Sequence, residues 1–146
     1  CVHGHVVLSE AGGTLRMLSP ADGTVRLARA LGDALLGPAV ASDGWLWVQS
    51  GPQTLAGLRV DGGGEVRSLR VPIRLGAPPE VRGELLVLVD AERTGWIVGI
   101  ELPSGTERFR HRVDSALRAP ALAQGQELWI QPRDGRVIGL RLRHGL

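Results

Sequence analysis

Lysine, asparagine and tyrosine are absent from this chain of 146 residues, and cysteine, methionine and phenylalanine occur once each. A single cysteine, Cys1, excludes any disulfide within the chain. No apolar run approaches the ~20 residues that a membrane-spanning helix needs; the longest is around "LLVLV" at 85–89. Sustained helical periodicity is missing too, since "ARALGDALLG" at 28–37 is the best candidate and Gly32 interrupts it. Without lysine, all seventeen basic residues are arginine, which places the pI near 9.9 although the formal charge is only +2. Guanidinium pairs bidentately with carboxylate and phosphate. Seventeen arginines against fifteen acids, both spread along the chain, nevertheless lack the clustered excess that a phosphate backbone demands. Nucleic acid is therefore not an expected partner, and a GC-rich coding bias accounts for the missing Lys and Asn. With 43% apolar and 22% charged residues, the composition is that of an ordered globular chain.

What is present is repetition. "TLRMLSPADG", "TLAGLRVDGG", "WIVGIELPSG" and "RVIGLRLRHG" share one pattern, with Leu15, Leu55, Ile97 and Val137 in register at spacings of 40, 42 and 40. Two positions on come Met17, Gly57, Gly99 and Gly139, and the copies end at the turn glycines Gly23, Gly63, Gly105 and Gly145. Upstream lie "GHVVL", "GWLWV", "GELLV" and "QELWI", which align Val7, Trp47, Leu86 and Trp129. Pro38, Pro79 and Pro120 introduce the last three copies, and "TVRLARAL", "EVRSLRV" and "TERFRHRV" follow the first three turns. Each complete unit is thus four short strands in about 40 residues, joined by Gly, Pro and Asp turns. Such units predict an all-β chain built as a β-propeller of four-stranded antiparallel blades. The strand count is three, four, four and three, about three and a half blades or a partial ring. One partial propeller over 1–146 is expected, with repeats at approximately 1–37, 38–77, 78–119 and 120–146.

The segments "PAVASDGWLWVQSGPQTLAGLRVDGGG" (38–64) and "PALAQGQELWIQPRDGRVIGLRLRHG" (120–145) resemble the PQQ-like, or quinoprotein-type, propeller repeat. The resemblance covers essentially the whole chain and is specific for architecture rather than activity. There are departures. The family's fourth-strand Trp would fall at Leu27, near Leu69 and at Phe109, and its third-strand Asp is replaced by Ser19, Arg59, Glu101 and Arg141. Propellers of this family usually carry seven or eight blades, so the resemblance implies half a ring. An open half-ring exposes apolar blade faces that need a cover. A longer chain, a second copy or another subunit would complete it.

Cys1, His3 and His5 alternate, so an extended chain would turn all three to one side as weak candidate ligands for Zn or Cu. Cys1 is also a lipidation candidate, because a signal peptide cleaved before Cys is how bacterial lipoproteins begin. Trp47 and Trp129 hold equivalent strand positions and read as packing, whereas Trp45 and Trp96, at strand entrances, read as interaction candidates. Alternation in "TERFRHRV" sets Arg108, Arg110 and Arg112 on one face, either a partner-facing stripe or a solvated edge. "DGGG" at 61–64 is a hairpin turn rather than a phosphate cradle, and no nucleophile elbow arranges Ser, His and Asp.

The functional expectation is a non-catalytic scaffold for protein–protein interaction, with no catalytic residues and no cofactor assigned. The resemblance points toward the bacterial cell envelope or periplasm and toward the propeller lipoprotein of outer-membrane protein assembly, any membrane contact coming through a lipid on Cys1. Two alternatives stand beside it. One is a fragment of a quinoprotein oxidoreductase using PQQ with Ca²⁺, although no residue here maps that family's quinone contacts. The other is the sensor domain of a larger receptor or kinase. Fold alone does not decide among them.

Overall fold

A computed structural model describes residues 4–32, 34–62, 64–90, 95–102, 104–117, 121–124 and 127–141. All of its regular structure is strand. β1 (Val6–Ser9), β2 (Thr14–Leu18) and β3 (Val25–Ala30) form the first sheet. β4 (Val40–Ser42), β5 (Trp45–Gly51), β6 (Thr54–Arg59) and β7 (Val66–Arg70) form the second. β8 (Glu80–Arg82), β9 (Leu85–Val89), β10 (Trp96–Glu101) and β11 (Glu107–Arg112) form the third. β12 (Leu122–Gln124), β13 (Glu127–Ile130) and β14 (Ile138–Arg141) form the fourth. Every pairing is antiparallel and joins sequence neighbours, so each sheet is a meander. The expected three, four, four and three strands are all found.

The turns follow from local chemistry. Ser42 pairs with Trp45, which leaves Asp43 (φ 43°) and Gly44 (φ 74°) as a two-residue hairpin with both central φ positive. That is the type I′ turn that Asp-Gly favours, because its twist matches that of the strands it joins. Between third and fourth strands, Glu101 N–H donates to Thr106 O (2.8 Å) and Gly105 N–H to Glu101 O (2.8 Å). Ser19, Gly23 and Thr24 repeat those two bonds in the first sheet, each at 2.9 Å.

Two compact units divide the chain, Cys1–Arg70 and Val71–Leu146. In the first unit, one apolar face of the first sheet (Leu15 and Met17, with Val7 and Leu27 alongside) packs on Leu46, Val48, Ala56 and Leu58 of the second sheet. In the second unit, Leu85, Val87, Val89 and Ile97 of the third sheet, with Phe109, pack on Leu128, Ile130, Ile138 and Leu140 of the fourth. Cross-strand pairing makes the two interfaces equivalent. The row Val7–Met17–Leu27 corresponds to Val87–Gly99–Phe109, and the pairs Leu46–Leu58 and Val48–Ala56 correspond to Leu128–Leu140 and Ile130–Ile138. The ladder also corrects the alignment by one residue. Val87, not Leu86, stands opposite Gly99 and is the equivalent of Val7, Trp47 and Trp129. Since side chains alternate, that single step decides which face each residue of β9 occupies.

Candidate interaction surface

The exposed positions concentrate on the last strands of the sheets. β11 opens Glu-Arg-Phe-Arg-His-Arg, and only Phe109 within it is shielded, partly. Its neighbour β10 enters at Trp96, which is held from both sides. Asp90 N–H donates to Trp96 O (3.1 Å), and Val113 N–H donates to Gly95 O (3.0 Å). Gly95 has φ +69°, and a Cβ there would collide with Val113 O and lie 2.7 Å from Ser115 O, so only glycine fits the entrance.

Trp96 pairs with Arg112 across the ladder, and Val98 pairs with Arg110. Both guanidinium groups therefore reach the half-buried indole, with Arg110 Cζ 5.4 Å and Arg112 Cζ 5.7 Å from its ring centroid. Cation–π contacts of this kind contribute ~0.5–1 kcal/mol at exposed sites. Arg110 is also clamped by Glu107, whose carboxylate accepts from Nε at 3.0 Å and Nη2 at 2.7 Å. The hydrogen bond from Arg110 holds the Glu107 carboxyl below its ordinary value and, reciprocally, raises the Arg110 guanidinium.

The structure thus brings Trp96, Arg110 and Arg112 together and engages Arg108 elsewhere. Pairing steps from Gly99–Phe109 to Ile100–Glu107, so Arg108 is the extra residue of a β-bulge. Its guanidinium binds Glu101 instead. The bulge breaks strict alternation, which is why Glu107 and Arg110, three apart on a strand, meet.

Trp45 lies in a related but closed arrangement. It is only 5% exposed, stacked on Trp47 at 5.6 Å and 25°, with Arg67 Cζ 4.8 Å and Arg59 Cζ 5.9 Å from its ring. Those arginines pair with Glu65 (2.8 Å) and Asp61 (2.7 Å). What this patch offers to solvent is arginine, and the indole supports it from below. Trp47 is fully buried, and its Nε1 has no hydrogen-bond partner among the described residues. Trp129, its repeat equivalent, is 36% exposed. Nothing in the local sequence separates these two tryptophans.

Cys1 and His3 lie outside the described residues. Among the described residues no three His, Cys, Asp or Glu side chains are grouped as a metal site would need.

No protein-family model matches the chain, and no curated protein matches it by sequence. Solved structures do match. The chain is similar to BamB from Moraxella catarrhalis at a TM-score of 0.73 and 18% identity, covering 94% of this chain and 46% of that one. Similarity to the computationally designed Ika4 protein is equal in TM-score, 0.73, at 16% identity, covering 97% of this chain and 88% of the other. Sqt1 from Saccharomyces cerevisiae follows at 0.72 and 12% identity, covering 97% and 42%. The fold is that of β-propeller blades, as the repeat predicts. The chain spans about half the length of the natural propellers it matches.

Proposed function

We propose that this chain is a non-catalytic propeller scaffold that binds a protein partner through the basic, tryptophan-centred surface of β10 and β11. The carrying observation is the convergence of Arg110 and Arg112 on a half-buried Trp96. An indole fixed between guanidinium groups supplies rigid contact area and directional charge together, the combination enriched where interfaces hold their binding energy. The chemistry suits a partner segment that carries carboxylates beside an apolar or aromatic residue.

Similarity in fold to BamB, an outer-membrane assembly lipoprotein, supports a setting in the bacterial cell envelope, among the factors that assemble outer-membrane proteins. The PQQ-like repeat pattern quoted above supports the same placement, with the scaffold rather than a quinone site inherited from that family. Lipidation of Cys1 would supply its membrane contact.

The test is capture of partners from envelope extract by the wild-type chain and by Arg110→Glu/Arg112→Glu. Loss of a saturable, salt-sensitive partner in the double variant is the expected result. Equal capture by both would remove this surface from the proposal.

A further inference from the structure

The two internal sheet interfaces obey one rule, and among the described residues one face of the first sheet and one face of the fourth have no such cover. In each unit, the face bearing the Val7 or Val87 row of one sheet packs on the opposite face of the next. The corresponding donor face of the fourth sheet carries Leu122, Trp129 and Val137, which are 60%, 36% and 64% exposed. At the position of Val137, the other three sheets hold Leu15, Leu55 and Ile97, all at 0%. The first sheet has the complementary gap. Its receiving face presents Val6, Leu8 and Leu18, and Leu8 is 44% exposed where Val48, Leu88 and Ile130 are at most 1%.

We infer that these two faces are made for each other in different molecules: the fourth sheet of one copy of this chain seats on the first sheet of a second copy. This deepens the scaffold proposal above by naming the subunit that completes the ring, and rests on its reading of the chain as propeller blades. Three observations favour a second copy over an unrelated subunit. The chain supplies both halves of the contact, donor and receiver, by the register its internal interfaces use. Each face is charge-balanced, with Glu127 paired to Arg141 (3.4 Å) on one and Glu10 paired to Arg16 on the other, so like charges do not oppose the contact. And since the chain covers 46% of BamB and 42% of Sqt1, two copies supply about the length of one complete natural propeller.

Sedimentation equilibrium over micromolar concentrations tests the inference directly. The wild-type chain is expected to run at about twice 15.6 kDa. Val137→Asp and Leu8→Asp each place a carboxylate on an exposed position of one face. Each is expected to weaken self-association at least ~100-fold, the loss typical of a central interface residue. Far-ultraviolet circular dichroism should be unchanged in both, which separates dissociation from unfolding. Val66→Asp, on the outer strand β7 and 47% exposed, is the control that should remain dimeric. A wild-type monomer at 100 micromolar, or a dimer indifferent to both face variants, would overturn the inference. A monomer that still captures its partner through Arg110 and Arg112 would overturn it while leaving the scaffold proposal standing.

Discussion

Gly57 lies directly beneath the six-membered ring of Trp47: a Cβ at Gly57 would fall 2.7 Å from Cζ3 and 2.8 Å from Cη2. The two residues are cross-strand partners on β5 and β6, so the glycine clears the space that the largest side chain fills. The third and fourth sheets use the same device, with Phe109 over Gly99 and Trp129 over Gly139. Where the first sheet has Met17 instead of glycine, its row partners are the smaller Val7 and Leu27.

Replacing these glycines by alanine should therefore cost stability in a fixed order. Gly99→Ala and Gly57→Ala overpack buried rows, for ~1–3 kcal/mol. Gly139→Ala meets Trp129 at 3.2 Å, an overlap that a shift of a few tenths of an ångström relieves, and should cost under about 1 kcal/mol. Urea unfolding of the three variants gives the ranking; equal losses would mean that ring clearance is not the glycines' role.

Trp47 contributes area but leaves its Nε1 without a partner among the described residues. Trp47→Phe removes that buried orphan and keeps an aromatic ring over Gly57, so it should cost ~1–2 kcal/mol, offset in part by the lost desolvation penalty. Trp47→Ala should cost ~3–5 kcal/mol. A Phe variant as weak as the Ala variant would show that Nε1 is bonded in solution.

Gly95→Ala should unseat Trp96. The substitution strains a backbone at φ +69° and drives a Cβ into Val113 O. Near-ultraviolet circular dichroism and tryptophan emission should change together with a stability loss of ~2 kcal/mol or more. Unaltered spectra would argue against the tight entrance.

The Glu107–Arg110 clamp sets a pH dependence whose sign is fixed by its shifts. The folded-state pKa of Glu107 lies below its ordinary 4.5. Its stabilisation is therefore complete above pH 4.5 and is lost as pH falls through the lower folded value. The pair is exposed and screened by solvent, so the contribution is small. Wild type should exceed Glu107→Gln in Tm at pH 7, and the gap should narrow as pH falls below 4.5. A gap that did not narrow on acidification would assign the effect to packing.

The architecture was legible because a roughly 40-residue period and a turn glycine after the third strand recur in every copy, and a glycine stands two positions past the apolar anchor in three of the four. The register of β9 was not, because "LLVLV" is apolar on both faces and offers no alternation to count. The grouping of Arg110 and Arg112 with Trp96 could be anticipated in part from alternation and from strand entrances. The diversion of Arg108 to Glu101 could not, since the bulge that causes it has no signature in "TERFRHR". Burial of Trp45 and exposure of Trp129 were invisible for another reason. Both depend on what lies against a sheet face, and no local spacing encodes that.

Because each described strand bonds only to its neighbours in sequence, no ladder among the described residues waits for a distant segment to arrive. The entropy of closing a long loop is never charged to a hairpin here. Folding can advance as a procession, each meander forming behind the one before it as the chain is synthesised. If the first and fourth sheets pair between copies as proposed, that docking is the concentration-dependent step, reached only after each sheet has formed.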